Sequence, residues 1–306
     1  MSLQAQALQF FAILDQNETY MQLAGITPGG NTGNSIYGDD GDDQIVSYGS
    51  KNNIYGGDGD DEIYSVGDFN IVNAGNGDNT IGVSGEKNKI SATNGDNYLS
   101  LIGNNNSVKF GNGNNTGTIK GNKNNSILGN GNNTFNIYGN QNISTFGNGN
   151  NTYNASGTQN KGVFGNGNNT IYSIGDKSSI YAGNGNNSAI IFGNKTYSQF
   201  GNGANTFAYY GNNVTGKFGN GNNKIFTYDR ALANGYFTGV SNFVSTFQSK
   251  YAPNWYISGV TNSNIQVGSG SNKIHLTASV TPTVNANDIT GKKNDIFVNG
   301  GYQLKK

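Results

Sequence analysis

Gly111-Asn112-Gly113-Asn114-Asn115 decides how this chain is read. The pentapeptide returns at Gly129, Gly147, Gly165, Gly183 and Gly219, and as Gly-Asn-Gly-Ala-Asn at Gly201, each step being 18 residues. Counting backward in the same frame gives Thr93-Asn-Gly-Asp-Asn97, Gly75-Asn-Gly-Asp-Asn79, Gly57-Asp-Gly-Asp-Asp61 and Asp39-Asp-Gly-Asp-Asp43. That makes 11 copies without an insertion. A fixed short period predicts a solenoid, in which each repeat is one coil stacked on the next.

The columns of the array assign a task to each position. The third position is Gly in all 11 copies and the fifth is Asp or Asn in all 11. A second Gly lies ten residues after the first position, from Gly49 to Gly211. Two glycine corners per coil predict two short strands per coil. Apolar residues fall where such strands face inward: Ile45, Ile63, Ile81, Leu99, Phe135, Tyr153, Ile171, Phe207 and Ile225 on one strand. Phe110, Leu128, Phe146, Phe164, Phe200 and Phe218, with Ala74, Ala92 and Ala182, do the same on the other. A further column, Asn52, Asn70, Asn88, Asn106, Asn124, Asn142 and Asn160, predicts an amide ladder with each side chain bonded to the copies above and below. The fold class is therefore all-β, a parallel β-solenoid of 18-residue coils about 4.8 Å apart, of either hand.

Two stretches carry a resemblance. Gly56-Gly-Asp-Gly-Asp-Asp-Glu-Ile-Tyr64 fits the G-G-x-G-x-D-x-U-x nonapeptide, and Gly38 to Val46 (GDDGDDQIV) nearly does, with Asp39 in place of the second Gly. The chain thus resembles the RTX family, hemolysin-type repeats whose β-roll binds calcium. The resemblance covers residues 36 to 228 as architecture, and only these two nonapeptides as motif. It implies Asp43 and Asp61 as side-chain calcium ligands, with the backbone carbonyls of Gly41, Gly57 and Gly59. Asp42, Asp60, Asp78 and Asp96 sit one position earlier, where strand alternation points them outward. From Asn79 onward the fifth position is Asn, and side-chain hydrogen bonds are expected to replace the ion. In the first two coils calcium and its absence both stay open, because calcium takes about six to eight oxygens and two carboxylates supply few of them.

The array divides the chain. Residues 1–35 are expected to form an N-terminal cap, helical from the spacing of Leu3, Ala7, Phe10, Phe11 and Leu14, and to cover the exposed end of the solenoid. The solenoid is expected over 36–228, a helical insertion over 229–258 and a β cap over 259–306. The insertion carries Val240, Phe243, Val244, Phe247 and Tyr251 at helical spacing before Pro253, with Trp255 as a packing anchor. In the final region Gly268-Ser-Gly-Ser-Asn272-Lys-Ile274 and Gly291-Lys-Lys-Asn-Asp-Ile296 echo the repeat, so β structure is expected to resume there.

Composition excludes several functions. There is no Cys, one His (His275) and one Arg (Arg230), and no acid, base and Arg cluster of the kind carbohydrate chemistry uses, so no enzyme is expected. The glycine loops lack the Gly-Lys-Ser/Thr of a phosphate loop. No segment is apolar enough to span a membrane, and the dispersed lysines argue against nucleic acid. The net charge is zero, yet 14 acidic residues and 3 lysines lie up to Asp96, against 4 acidic and 15 basic residues after it. The reading is a calcium-assisted homopolymer of a cell-surface layer, sheath or matrix filament, touching cell-surface polysaccharide. Its acidic coils, with Asp39 and Asp58, are expected to meet Lys292 and Lys293 of a neighbour. The alternative is an ice- or glycan-binding module presenting Asn and Thr rows, among them Thr116, Thr134, Thr152 and Thr170. The start of the chain has no secretory leader character. The resemblance implies type I-like export to the cell exterior through an uncleaved C-terminal segment, Asp295 to Lys306.

Overall fold

The computed structural model describes residues 29–30, 32–38, 40–211, 214–221, 223–228, 264–267, 273–276, 295–298 and 301–305. They form short β-strands and, among the described residues, no helix. The chain divides into two compact units, residues 1–138 and 139–306. This division falls inside the repeat array rather than at its ends. A solenoid coil touches only its neighbours, so its ends are not its only natural boundaries.

In the first unit the strands form two parallel series. One runs from Ser35–Tyr37 through Asn53–Asp58, Ile71–Asn76, Lys89–Ala92 and Ser107–Phe110 to Asn125–Leu128. The other runs from Gln44–Tyr48 through Glu62–Val66, Thr80–Ser84, Tyr98–Ile102 and Thr116–Lys120 to Thr134–Tyr138. Partners stand 18 residues apart, as in Ile63 with Ile81 and Val72 with Ile90. The second unit repeats the arrangement, with Tyr153 beside Ile171 and Gly162 beside Ile180. The parallel β-solenoid read from the pentapeptide is therefore the observed fold.

The ends differ from expectation in one respect. Gly29 and Gly30 pair in parallel with Ser47 and Tyr48, so the solenoid begins inside the segment assigned to the cap. The helices expected before Gly25 and over Thr238 to Tyr251 lie outside the described residues, as does Trp255. Beyond the insertion the frame resumes: Thr215 pairs with Asn264 and Lys224 with Lys273. Ile274 then pairs with Ile296, as the two echoes of the repeat require, and Asp295–Val298 pairs antiparallel with Gly301–Lys305.

The core is narrow, and in most coils a small inward residue accompanies a large one. On one strand of most coils the two inward residues trade size, the exception between Ile54 and Phe218 being Val108 with Phe110. Ile54, Val72, Ile90 and Ile180 are followed two residues later by Gly56, Ala74, Ala92 and Ala182. Ser126, Ser144, Gly162, Ser198 and Gly216 are followed by Leu128, Phe146, Phe164, Phe200 and Phe218. A Cβ on Gly162 would lie 2.9 Å from Cε2 of Phe164, so the glycine makes room for the ring. Gly117 does the same for Phe135 across the coil boundary, at 2.6 Å from its Cε1. Where rings recur they stack: Phe146 and Phe164 lie 4.7 Å apart at 7°, with Tyr153 edge-on to both. A close-packed interior one residue pair wide has little freedom to absorb a volume change.

The corners are fixed by backbone conformation. Gly113, in the invariant column, has φ +144°, and a Cβ there would come within 1.9 Å of the Gly95 carbonyl oxygen. The opposite corner holds a feature that composition hides. Lys51, Phe69, Lys87, Asn105, Lys123, Gln141, Gln159, Lys177 and Lys195, one per coil, adopt φ of 57–60° without being glycine. The left-handed conformation costs about 1–2 kcal/mol per residue, and the next coil holds it in place. Lys51 N–H donates to the Asp68 carbonyl at 2.9 Å and Lys87 N–H to that of Asn104 at 3.1 Å.

The amide columns are bonded in a way that refines the expected ladder. From Asn52 to Asn124, in the first unit, each Oδ1 of this column accepts the backbone N–H of the Asn one coil earlier. The distances are 2.8 Å from Asn52 to Asn70, 2.7 Å from Asn70 to Asn88 and 2.8 Å from Asn106 to Asn124. The Nδ2 of Asn124 donates back to the Gly103 carbonyl at 2.9 Å. In the first coils Nδ2 finds a serine instead, from Asn52 to Ser47 and from Asn70 to Ser65, both at 3.1 Å. Val83 stands where that serine would be in the next coil, and the Nδ2 of Asn88 is left without a partner. The side-chain to side-chain ladder lies in the other column, the fifth position of the pentapeptide. Asn79 Nδ2 donates to Asn97 Oδ1 at 3.0 Å and Asn97 to Asn115 at 3.0 Å. In the second unit Asn169 donates to Asn187 at 2.8 Å.

Two expected outcomes follow for thermal melting. Asn124→Leu leaves the buried N–H of Asn106 and the Gly103 carbonyl unpaired, at a cost of about 1–3 kcal/mol for each orphaned group. Phe164→Ala is expected to cost about 3–5 kcal/mol by leaving a cavity, and Gly162→Ile about 1–3 kcal/mol or more by overpacking. The double variant, which recreates the Ile180 and Ala182 pair of the next coil, should recover most of that loss. Equal additive losses in the double variant would show that the two positions do not trade volume.

Candidate functional site

The acidic corner of the first two coils is where the chain departs from its own pattern. In every Asn coil the fifth-position amide performs the same service. Asn115 Oδ1 accepts the Asn97 backbone N–H, while its Nδ2 lies among oxygens: the Gly111 carbonyl at 3.4 Å, the Gly113 carbonyl at 3.2 Å and Asn133 Oδ1 at 2.9 Å. An amide nitrogen with two hydrogens is what such an all-acceptor pocket needs.

Asp61 occupies the same position with the wrong atom. Its Oδ1 accepts the Asp43 backbone N–H at 3.0 Å, as the Asn copies do, and its own N–H donates to Asn79 Oδ1 at 3.0 Å. Its Oδ2 takes the place of the amide nitrogen, in the pocket that corresponds to the carbonyls of Gly57 and Gly59. The residue is 1% exposed, and Oδ2 has no hydrogen-bond partner. Burial raises its carboxyl above the usual carboxylate range, and the Asp43, Asp42 and Asp60 charges add to this against the lowering effect of the Asp43 N–H.

Glycine opens space beside this oxygen. Gly38 and Gly56 hold the inward position that is Ala, Leu or Phe in later coils. A Cβ on Gly56 would meet Asp61 Oδ2 at 2.1 Å, and one on Gly38 would meet Asp43 Oδ2 at 2.3 Å. An orphaned carboxylate oxygen, a second carboxylate one coil away and a cradle kept free of side chain together fit a hard cation. Asp43 and Asp61, with the carbonyls of Gly41, Gly57 and Gly59, are the residues that would hold calcium. The ion would supply the positive charge that Nδ2 hydrogens supply in every later coil. Among the described residues no group of three acidic or histidine side chains converges as a metal site, so the backbone would have to furnish most of the ligands.

The outward acids behave as alternation predicts. Asp42, Asp60, Asp78 and Asp96 are exposed. Each carboxylate accepts the backbone N–H one coil later, from Asp60 to Asp42 at 2.8 Å and from Asn114 to Asp96 at 2.6 Å. That bond and a second from the Asn114 amide hold the Asp96 carboxyl below its ordinary value. Among the residues assigned to assembly, Asp58 is exposed and accepts Asn76 Nδ2 at 2.8 Å, while Asp39, Lys292 and Lys293 lie outside the described residues. The roles of Gly38 and Gly56 were not visible in the sequence, where both pass for ordinary corner glycines. The signal was their coincidence with the only two Asp residues in an otherwise Asn column.

The test separates the ion from the proton. In chelator, the raised Asp61 carboxyl makes its contribution to stability largest at acid pH, and that contribution is lost as pH rises through the raised folded value. Asp61→Asn should therefore melt above the parent at neutral pH in chelator, the gap closing toward the ordinary carboxylate range. Calcium should raise the melting temperature of the parent and leave Asp61→Asn nearly unmoved, and a change at Asn151 should leave the calcium response intact. Calorimetry that detects no heat at millimolar calcium would remove the ion from the corner.

Comparison of the sequence with protein-family models, with curated proteins and with solved structures finds no match. The resemblance at residues 38–46 and 56–64 accordingly rests on those residues, and the function of the chain is argued from its own geometry.

Proposed function

We propose that the chain is a secreted structural protein that self-assembles, with calcium at the acidic corner, into a cell-surface layer, sheath or matrix filament. The observation that carries this reading is the division of charge between the two units. Residues 1–138 contain 14 acidic residues and 6 lysines, and residues 139–306 contain 4 acidic and 12 basic residues. The charges lie where a neighbour could meet them. Asp40, Asp42, Asp58, Asp60, Asp78 and Asp96 are exposed in the first unit, and Lys161, Lys177, Lys195, Lys217 and Lys224 in the second. Opposite charge on two different surfaces favours a heterologous contact, and one that does not close gives an open array. Such complementarity sets orientation and encounter rate more than affinity. The part of the proposal that concerns export rests on the family resemblance and on the segment from Asp295 to Lys306.

The second reading is an ice- or glycan-binding module. Thr152 and Thr170 in the second unit, and Thr116 and Thr134 in the first, point outward one coil apart and support it. The Asn columns support it less, because their oxygens are engaged: Asn112 and Asn114 accept the N–H groups of Asn130 and Asn132, each at 2.9 Å.

Negative-stain microscopy and light scattering test the assembly. Ordered polymers are expected at high protein concentration, slowed at 1 M salt where the Debye length is about 3 Å. Reversal of Lys292 and Lys293 to Glu should reduce polymer formation, and calcium should shift its onset. A chain that stays monomeric with and without calcium, yet shows thermal hysteresis, would transfer the conclusion to the second reading.

A further inference from the structure

A surface trough of about 340 Å³ follows the pentapeptide corner in the first unit. Gly57 and Gly75 form its floor, and it cannot be filled by substitution: a Cβ on Gly75 would come within 1.8 Å of the Gly57 carbonyl oxygen. Tyr55 and Asn73 precede the floor residues and Asp58 and Asn76 follow them, so the two pairs stand on opposite sides. The column that supplies the floor is Gly from Gly57 to Gly219 except at Thr93, whose side chain closes the trough.

That exception also orients the polar side. Thr93 Oγ1–H donates to Asn76 Oδ1 at 2.6 Å, and Asn76 Nδ2 donates to Asp58 Oδ1 at 2.8 Å. The chain of donors ends on a carboxylate, leaving Asp58 Oδ2 to accept from a ligand. Asp40 adds a second exposed carboxylate to the lining. Across the floor, Asn73 Oδ1 lies 3.3 Å from the Ser91 hydroxyl that donates to it, and its amide N–H groups are available as donors. Tyr55 is half-buried and braced by stacking on Tyr37, ring centroids 4.9 Å apart at 5°. An aromatic ring held in place, fixed carboxylate acceptors and an amide donor around a solvent-open trough match a molecule with apolar C–H edges and several hydroxyl donors.

We propose that this trough is a subsite for a neutral saccharide, a single pyranose or a disaccharide. The ligand hydroxyls donate to Asp58 and Asp40, a ring or hydroxyl oxygen accepts from Asn73, and the sugar edge packs on Tyr55. Two carboxylates in the lining disfavour uronic acids and other anionic sugars. The lining runs from the coil of Asp40 through those of Asp58 and Asn76 to that of Thr93, three coil spacings or about 14 Å. The proposal does not depend on assembly, since every residue it uses lies in one unit.

The test uses the full chain. Cellobiose, N,N′-diacetylchitobiose, maltose and lactose are titrated by amide chemical-shift mapping, with digalacturonate and calcium chloride alone in parallel. Asp58→Asn and Tyr55→Ser install residues that other coils carry at these positions, Asn76 and Ser91, so both variants should melt like the parent. At least one neutral disaccharide should bind in the millimolar range, with shifts at Tyr55, Asn73 and Asn76, and each variant should weaken it by about tenfold. Three results would overturn the proposal: no neutral disaccharide bound at about 50 mM, equal binding of digalacturonate, or unchanged affinity in both folded variants. Saccharide binding by a chain that never polymerises would leave this inference standing while the assembly reading fell.

Discussion

The hydrogen bond between a backbone N–H and the Oδ1 of an Asn 18 residues later is the contact on which the structure depends. A coil of this size has two strands of four to six residues and a core one side-chain pair wide. Apolar burial alone gives it little stability and only a partial register: a slip of one residue would expose the inward face, but a slip of two would not. The buried amides supply the register. Each has one acceptor and two donors at set positions, and only the 18-residue offset satisfies them together. The same stacking holds the left-handed non-glycine residues at the second corner, whose backbone N–H groups donate to carbonyls of the following coil.

This dependence explains why the acidic corner stands out. The pocket at the fifth position consists of carbonyl and amide oxygens, and the fold is written for a nitrogen there. Putting an oxygen in that place at Asp61 creates a local deficit of positive charge that must be met from outside the side chain. A proton or a cation meets it, and the glycine at position 56 leaves room. The corner is a conditional coil in a series of unconditional ones, and its stability is tied to the solution around it.

Much of this was legible in the sequence. The period, the strand positions, the inward apolar columns and the outward Asp residues all come from alternation and repetition, which one chain displays against itself. The direction of the amide bonds was not legible, because Asn at a given spacing does not say which of its atoms faces which neighbour. The left-handed column was hidden because Lys123 or Gln141 carries no compositional mark of positive φ. The trade in volume between Gly162 and Phe164 was present in the letters but needed the facing geometry to be seen as a pair. The trough was least visible of all, since Thr93 reads as a minor lapse in a glycine column until its hydroxyl is found fixing Asn76.

The repeated Asn-Gly step has a chemical consequence for the lifetime of the protein. In that dipeptide the glycine nitrogen can attack the asparagine side-chain carbonyl carbon, expelling ammonia and leaving a succinimide that water opens to aspartate or isoaspartate, one reason Asn counts as thermolabile. The coil restrains both reacting groups. Gly113 N–H is engaged with the Asn130 carbonyl at 2.9 Å, and Asn112 Oδ1 accepts the Asn130 N–H at 2.9 Å. Gly167 N–H is held by Asn184 in the same way, at 2.8 Å. A sequence that would deamidate step after step as a free chain is shielded by the stacking that its asparagines create. Its chemical ageing is thereby coupled to unfolding: a coil that opens begins to convert its second-position amides, and each isoaspartate adds a carbon to the backbone at a corner that must match the 18-residue offset in order to close again.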